Sequence, residues 1–259
     1  MVVEGWVLSM NLSKYTILLH NKLNDCVRLY FKLKPYMDVF KFNIYTRITN
    51  ISWCGGREDI DEPKYNPKMV DFLNSKGIGV FLCFSNILPR LEDEPTAILN
   101  HLNLNPLNGV IVANDGLKDL IKSKYTNLKI ERSIIGLEGI EPTDEYLGEF
   151  DYFCVASEWR VDPNFNVKDN FLLLLNDPCV LNCKMQHRHN LYLSNHWNKI
   201  PDHFECIHPN KKGLIINEEQ INKYMERGYK CFKFGPCEFD YIDKMLKKIG
   251  QFCKTRINS

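Results

Sequence analysis

The sequence predicts an α/β fold, a TIM-like (β/α) barrel of regular or irregular form. Short apolar runs alternate with amphipathic stretches along most of the 259 residues. Continuous apolar runs are typical of parallel strands that are covered on both faces. About eight such runs favour closure into a barrel, with an open doubly wound sheet as the alternative. We expect a single domain over residues 1–259.

The predicted elements follow in order along the chain. Each candidate strand is a short apolar run, and we place the strands at 15–19, 39–44, 79–84, 109–112, 128–132, 151–155, 171–175 and 230–234. Apolar residues at helical spacing predict helices at 66–74, 94–102, 115–124, 218–227 and 239–252. Gly77 is a candidate C-cap of the first of these helices, and Asp115 a candidate N-cap of the third.

Two segments depart from this alternation. The first 35 residues fit it least well, so residues 1–35 are candidates for an N-terminal addition to the barrel. Residues 184–213 form a long stretch that is rich in His, Asn and Pro. Long irregular insertions in compact domains are usually functional or disordered. The histidines and the cysteine of this insertion favour the functional alternative.

Composition limits the classes of ligand that we expect and indicates the compartment in which the protein works. A net charge of +1 gives no overall attraction to nucleic acid, although a local basic patch remains open. No apolar stretch reaches the roughly 18 residues that span a bilayer. The N-terminus lacks the pattern of a signal peptide, so we expect a cytoplasmic protein without a membrane span. Its ten cysteines would then be mostly reduced.

The cysteines after the seventh predicted strand are the most informative motif. Asn176-Asp177-Pro178 ends the strand, and Cys179 and Cys183 follow it one helical turn apart. The carboxyl ends of barrel strands are where TIM-barrel enzymes act. With Cys206 and either Cys237 or Cys231, these thiolates suit an iron–sulfur cluster or zinc. The alternative is that the cysteines are small buried apolar residues, which we favour for Cys26, Cys83, Cys154 and Cys253.

The spacing of this motif excludes one type of iron–sulfur protein and leaves zinc open. A radical-SAM cluster would need a cysteine three residues after Cys183, where the chain has Gln186. His187 follows Cys183 by four residues and could complete a zinc site with the cysteines. Residues 184–190, which include Arg188, could instead contact an anionic ligand or form an exposed polar helix.

Other polar residues are predicted to line the same end of the barrel. Arg57, in the segment Trp53-Cys54-Gly55-Gly56-Arg57, could grip a carboxylate or phosphate, and Cys54 is a further candidate ligand. Glu158 and Arg160 follow the sixth predicted strand as pocket residues or as an ordinary surface pair. The polar residues that end other strands are pocket candidates or helix caps: Ser85, Asn86, Asn114, Asp115 and Ser133.

Four segments, taken in order, resemble the collagenase-like peptidase group, peptidase family U32. They span roughly residues 39–240, and each matches a strand or loop of that family. The segments are Asn108-Gly109-Val110-Ile111-Val112-Ala113-Asn114, Leu128-Lys129-Ile130-Glu131-Arg132-Ser133, the cysteine loop at 176–183, and Gly228-Tyr229-Lys230-Cys231-Phe232-Lys233-Phe234-Gly235. The family includes iron–sulfur proteins of RNA and ubiquinone hydroxylation.

The resemblance implies a barrel and a four-cysteine [4Fe–4S] cluster. By position its ligands would be Cys179, Cys183, Cys206 and Cys237, with Cys231 as the alternative fourth ligand. Relatives usually carry Gly-Arg where this chain has Gly235-Pro236, and the cysteine spacings also differ from the family pattern. The sequence shows no protease constellation, so peptidase activity is not expected.

The leading hypothesis is an iron–sulfur barrel protein that takes part in hydroxylation or a related modification of RNA or a small aromatic substrate. His187, Arg188, Arg57 and Glu158 would orient the substrate as the catalytic set. A zinc protein or metal-dependent hydrolase is the first alternative, and a non-catalytic binding barrel is the second. Whether the chain acts alone or with a paired homologous subunit stays open.

Overall fold

The fold is a closed barrel of eight parallel strands. The computed structural model describes residues 15–48, 51–54, 65–177, 183, 185–195 and 214–257. Neighbouring strands pair in parallel, and the last strand closes the barrel against the first, with Thr16 beside Cys231. The strands are β1 (Tyr15–His20), β2 (Phe40–Thr46), β3 (Gly79–Phe84), β4 (Gly109–Val112), β5 (Lys129–Arg132), β6 (Tyr152–Cys154), β7 (Phe171–Leu174) and β8 (Cys231–Phe234). The predicted TIM-like class is confirmed.

Helices connect the strands and cover the barrel. The described helices are α1 (Cys26–Leu33), α2 (Pro67–Ser75), α3 (Thr96–Asn103), α4 (Asp115–Lys124), α5 (Asp144–Gly148), α6 (Ser157–Val161), α7 (Gln186–Asn195), α8 (Glu218–Glu226) and α9 (Phe239–Ile257). None of them is long and apolar enough to cross a membrane.

Local chemistry fixes the ends of these helices. Gly77 follows α2 with φ +74°, as its prediction as a C-cap requires. The prediction that Asp115 caps α4 was wrong by one residue. The Asn114 side chain accepts a hydrogen bond from the Leu117 amide at 2.9 Å, and Asp115 is the first helical residue. Asn217 caps α8 in a reciprocal pair with Gln220.

The strands separate two cores. We call the apolar layer between strands and helices the outer core, which includes Leu82, Val110 and Phe153. We call the space enclosed by the strands the barrel interior. Because side chains alternate along a strand, every second residue faces inward. The interior cluster comprises Leu18, Tyr45, Phe81, Cys83, Ile111, Tyr152, Cys154, Leu172, Leu174 and Cys231.

The proposed N-terminal addition does not hold for residues 15–33. These residues form the first barrel strand and the first helix, and β1 pairs with both β2 and β8. The barrel would not be closed without β1, so it belongs to the domain. Any addition is restricted to residues 1–14, which lie outside the described residues.

The predicted insertion starts and ends at one place on the barrel. Directly after β7, Asn176–Asp177 pairs antiparallel with Leu214–Ile215. This short pair brings together the two ends of the insertion at 184–213. Its described part contains α7, so the exposed polar helix considered for residues 184–190 is present in the structure.

Candidate functional site

An ion pair lies inside the barrel. Lys233 on β8 donates to Glu131 Oε1 on β5, and the two residues are 4% and 0% exposed. The Lys233 Nζ also lies 4.6 Å from the ring centroid of Tyr45 on β2. Because these groups come from three separate strands, closure of the barrel is what brings them together.

Burial and the neighbouring carboxylate shift the pKa of Lys233 in opposite directions. Desolvation lowers the pKa of Lys233, but the Glu131 carboxylate opposes this strongly enough that the net pKa is raised. The nearby thiol of Cys154 is also buried, and desolvation raises its pKa to about 12. At neutral pH the interior therefore holds an ammonium–carboxylate pair beside a protonated thiol.

A second buried pair lies at the carboxyl ends of the strands, which we call the carboxyl rim. Arg160 of α6 is 0% exposed, and its Nη1 donates to the carbonyl of Leu174 at 2.9 Å. Its Nη2 lies 3.8 Å from Asp177 Oδ2, which is also buried. Arg160 was predicted as a pocket residue or half of a surface pair with Glu158. Its full burial excludes the surface pair, since it binds the end of β7 instead.

Asn176 joins the two rim loops that carry the predicted cysteines. Its Oδ1 accepts from the Gly235 amide at 2.8 Å, and its Nδ2 donates to the Pro236 carbonyl at 3.3 Å. Pro236 directly precedes Cys237, and the cysteine motif begins three residues after Asn176. Because β7 and β8 are neighbours in the barrel, these loops start side by side.

The structure shows where three of the predicted cysteine ligands lie. Cys183 is half-buried three residues before α7, and Cys237 is exposed after β8. Cys231 starts β8, and its Sγ donates to the Asp169 carbonyl at 3.2 Å. It thus lies at the opposite end of β8 from Cys237, roughly 10 Å along the strand from the rim. Of the two candidates for the fourth ligand, Cys237 is therefore the one near the rim.

The remaining cysteine ligands stay predictions. Cys179 and Cys206 lie outside the described residues, as do His196, His203 and His208. Within the described part of the chain, no group of three or more His, Cys, Asp or Glu side chains is arranged to hold a metal ion. Cys54 is buried among the apolar residues of the outer core, in a short helical turn that follows β2.

Helix α7 lies across the carboxyl rim. Near its start, His187 Nδ1 is 2.8 Å from Glu138 Oε2, in the loop after β5. Near its end, Ser194 accepts at Oγ from the Ile87 amide at 3.2 Å and at its carbonyl from Asn86 Nδ2 at 3.4 Å. Asn86 and Ile87 follow β3, so α7 bridges the rim between β5 and β3.

A cleft opens beneath the start of α7. Its lining includes Glu138, Glu158, Gln186 and Asn190. Two members of the predicted catalytic set therefore meet here, because Glu158 lines the cleft and His187 binds Glu138 at its edge. Arg188 is exposed on the same helix. Arg57, the fourth member, lies outside the described residues.

Sequence reasoning did not single out the charged residues of the interior. Glu131 and Lys233 each interrupt a short apolar run, as in Cys231-Phe232-Lys233-Phe234. A charged residue within a fully buried strand needs a partner, since an isolated buried charge is strongly unfavourable. That signal could have predicted a pair across the barrel.

The comparisons with known proteins agree with the fold. No family model matches the sequence, and no curated protein sequence matches it. Among solved structures, that of the U32 peptidase Mk0906 superposes with a TM-score of 0.57 at 14% identity, covering 87% of this chain and 94% of that chain. At this identity the similarity is one of fold, so the chain has a U32-like barrel.

Proposed function

We propose that the carboxyl rim holds an iron–sulfur cluster and that the protein takes part in hydroxylation, or a related modification, of RNA or a small aromatic substrate. The proposed ligands are Cys179, Cys183, Cys206 and Cys237. The observation that carries this proposal is a pair of hydrogen bonds, in which the Asn176 side chain accepts from the Gly235 amide and donates to the Pro236 carbonyl. They tie together the starts of the two loops that contain three of these cysteines.

The described cysteines of the set fit this role. Cys183 and Cys237 are free thiols outside the apolar cores. Desolvation and the adjacent Glu238 carboxylate raise the pKa of Cys237 to about 11, so its thiol is protonated at neutral pH. Metal binding must displace that proton, and loading should therefore improve as the pH rises. A bound cluster would supply electron transfer.

The cleft beneath α7 is the proposed place for the substrate. Glu158 lines it and His187 lies at its edge, while Arg188 is exposed on the same helix. With Arg57, these residues would orient the substrate by hydrogen bonds and charge. None of them needs to react, because positioning alone can contribute substantially to a rate.

Iron and acid-labile sulfide content tests the proposal directly. The full chain, purified without oxygen, should contain both and should absorb visible light through thiolate-to-iron charge transfer. Cys237→Ser should reduce the bound iron, whereas Cys231→Ser should leave it unchanged because Cys231 lies at the other end of β8. Protein that contains neither iron nor sulfide after anaerobic reconstitution would contradict the proposal.

Zinc is the second candidate, and one contact favours it. The 2.8 Å contact between His187 Nδ1 and Glu138 Oε2 leaves Nε2 of a neutral His187 available for a metal. Metal-binding histidines commonly donate their other ring N–H to a carboxylate in this way. Zinc without iron in the purified protein, lost in the His187→Gln variant, would favour zinc over the cluster.

A further inference from the structure

Buried cations in this protein have carboxylate partners, with one exception. Four of the five buried cationic side chains in the described residues lie within 4 Å of a carboxylate oxygen: Lys118, Arg132, Arg160 and Lys233, beside Glu149, Asp115, Asp177 and Glu131 respectively. The fifth is Arg47, for which no ion pair occurs among the described residues.

Two of the three guanidinium nitrogens of Arg47 have no hydrogen-bond partner in the described part of the chain. These atoms, Nε and Nη1, are both buried. The side chain as a whole is 8% exposed. Arginine keeps its charge under physiological conditions, so it cannot avoid the penalty of burial by losing a proton. An unpaired buried guanidinium is therefore unfavourable unless an anion binds to it.

The position of Arg47 identifies the mouth of the barrel as the place for that anion. Arg47 follows β2 by one residue and continues the alternation that places Asn43 and Tyr45 toward the interior. The next interior positions along β3 to β6 are small residues, namely Ser85, Ala113, Ser133 and Ala156. Arg47 is thus a long cationic side chain at a level of the barrel where its neighbouring strands present small ones.

We propose that Arg47 binds the oxyanion of a small ligand, a carboxylate or a phosphate, at the mouth of the barrel. Guanidinium groups bind both kinds of anion through charge-assisted hydrogen bonds. Lys233 lies deeper in the interior but is paired with Glu131, so among the buried cations of the described residues Arg47 is the one available to a ligand. The site requires neither a cluster nor zinc, so it stands independently of the proposed metal site.

If Arg47 binds a ligand and does not support the fold, replacing it should stabilise the protein when no ligand is bound. Arg47→Gln removes an unpaired buried charge while retaining a polar side chain of similar length. Without ligand, we expect the variant to melt about 2 °C or more above the wild-type protein. Loss of an arginine that supports the fold through bonds of its own would instead lower the melting temperature.

The test measures thermal unfolding of the full chain as purified, with and without anions. Inorganic phosphate and 4-hydroxybenzoate serve as probes at millimolar concentration, against sodium chloride of equal ionic strength. At least one probe should raise the melting temperature of the wild-type protein but not that of Arg47→Gln. Arg47→Lys, which keeps the charge, should retain part of the shift. Arg28→Gln, at an exposed position on α1, should respond like wild type.

The two probes distinguish the source of the oxyanion. A shift with phosphate alone points to a phosphorylated ligand, and a shift with 4-hydroxybenzoate alone points to an aromatic carboxylate. The proposal is overturned if neither probe shifts the wild-type protein, if wild type and Arg47→Gln shift equally, or if Arg47→Gln is destabilised or fails to fold.

Discussion

The outer core and the barrel interior are both buried, yet they are built from different chemistry. The outer core consists of apolar side chains such as Leu82, Val110 and Phe153. The interior holds an ion pair and thiols, and also Asn43, whose two polar side-chain atoms are buried without hydrogen bonds. Apolar burial drives folding, whereas buried polar groups oppose it unless they are paired. We infer that stability comes chiefly from the outer core, whereas the polar groups of the interior oppose folding unless they are paired.

The largest expected effect comes from breaking the interior ion pair. Glu131→Gln leaves Lys233 buried without its carboxylate and should lower the free energy of unfolding by about 3–5 kcal/mol. Urea denaturation measures this loss. The double variant Glu131→Leu with Lys233→Met removes both charges and should recover most of it. If the single variant were as stable as wild type, the pair would not be the main electrostatic contact of the interior.

Truncating an apolar side chain of the outer core should lower the free energy of unfolding by a smaller amount, through lost packing and not through an unpaired charge. Leu82→Ala removes fully buried apolar volume on β3 and should lower the free energy of unfolding by about 3 kcal/mol. Because no charge is involved, this loss should stay constant between neutral and alkaline pH. A loss that changed with pH would mean that the two cores are not energetically separate.

Alkaline pH should destabilise the protein in part through the barrel interior, alongside outer-core groups such as Cys26, whose pKa burial raises to about 11. The pKa of Cys154 rises from 9.0 to about 12 on folding because the thiol is desolvated. Above pH 9 the unfolded thiol loses its proton while the folded one keeps it, so stability falls as pH increases. Lys233, whose pKa is also raised, contributes in the same direction. The slope from Cys154 is at most about 1.4 kcal/mol per pH unit.

Urea titrations at several pH values measure this slope. Cys154→Ala should flatten the decline above pH 9, whereas Cys253→Ala, on α9 outside the barrel, should flatten it less because Cys253 is only half-buried. Equal slopes in wild type and Cys154→Ala would exclude the interior thiol as a source of the pH dependence.

The smallest effect is expected at the surface of α7. The pair of His187 and Glu138 is about half exposed on both sides, so Glu138→Gln should change the free energy of unfolding by no more than about 0.5 kcal/mol. Thermal or urea unfolding measures it. A loss of several kcal/mol would show that α7 is part of the stabilising core and not a cover on the rim.

The barrel could be predicted from the sequence because its strands are continuous apolar runs. The predicted strands at 79–84 and 109–112 match β3 and β4, and the other six agree within two residues at either end. The segment of β1 was predicted to be a strand, yet it also fell within the first 35 residues, which were candidates for an N-terminal addition. Closure by β1 depends on pairing with β8, a contact that spans most of the chain. The local pattern of apolar residues does not reveal pairing between strands so far apart in sequence.

The site could be predicted only in part. That the cysteine loops follow β7 and β8 could be inferred from sequence, because strand ends are local features. The choice between Cys231 and Cys237 stays a prediction, because Cys179 and Cys206 lie outside the described residues. The partner of Lys233 lies on a strand far away in sequence, and the lack of a described partner for Arg47 depends equally on how the closed barrel surrounds it.

The most direct test of the proposed rim site is to measure iron and sulfide in wild-type protein beside Cys183→Ser and Cys253→Ser. Both cysteines are half-buried free thiols, but Cys183 lies three residues before α7, in the loop that follows β7, and Cys253 lies on α9. All three proteins would be prepared anaerobically under identical conditions. We predict iron and sulfide in wild type and Cys253→Ser, with a marked loss in Cys183→Ser. Equal contents in all three proteins, or none in wild type, would contradict a cluster at the carboxyl rim.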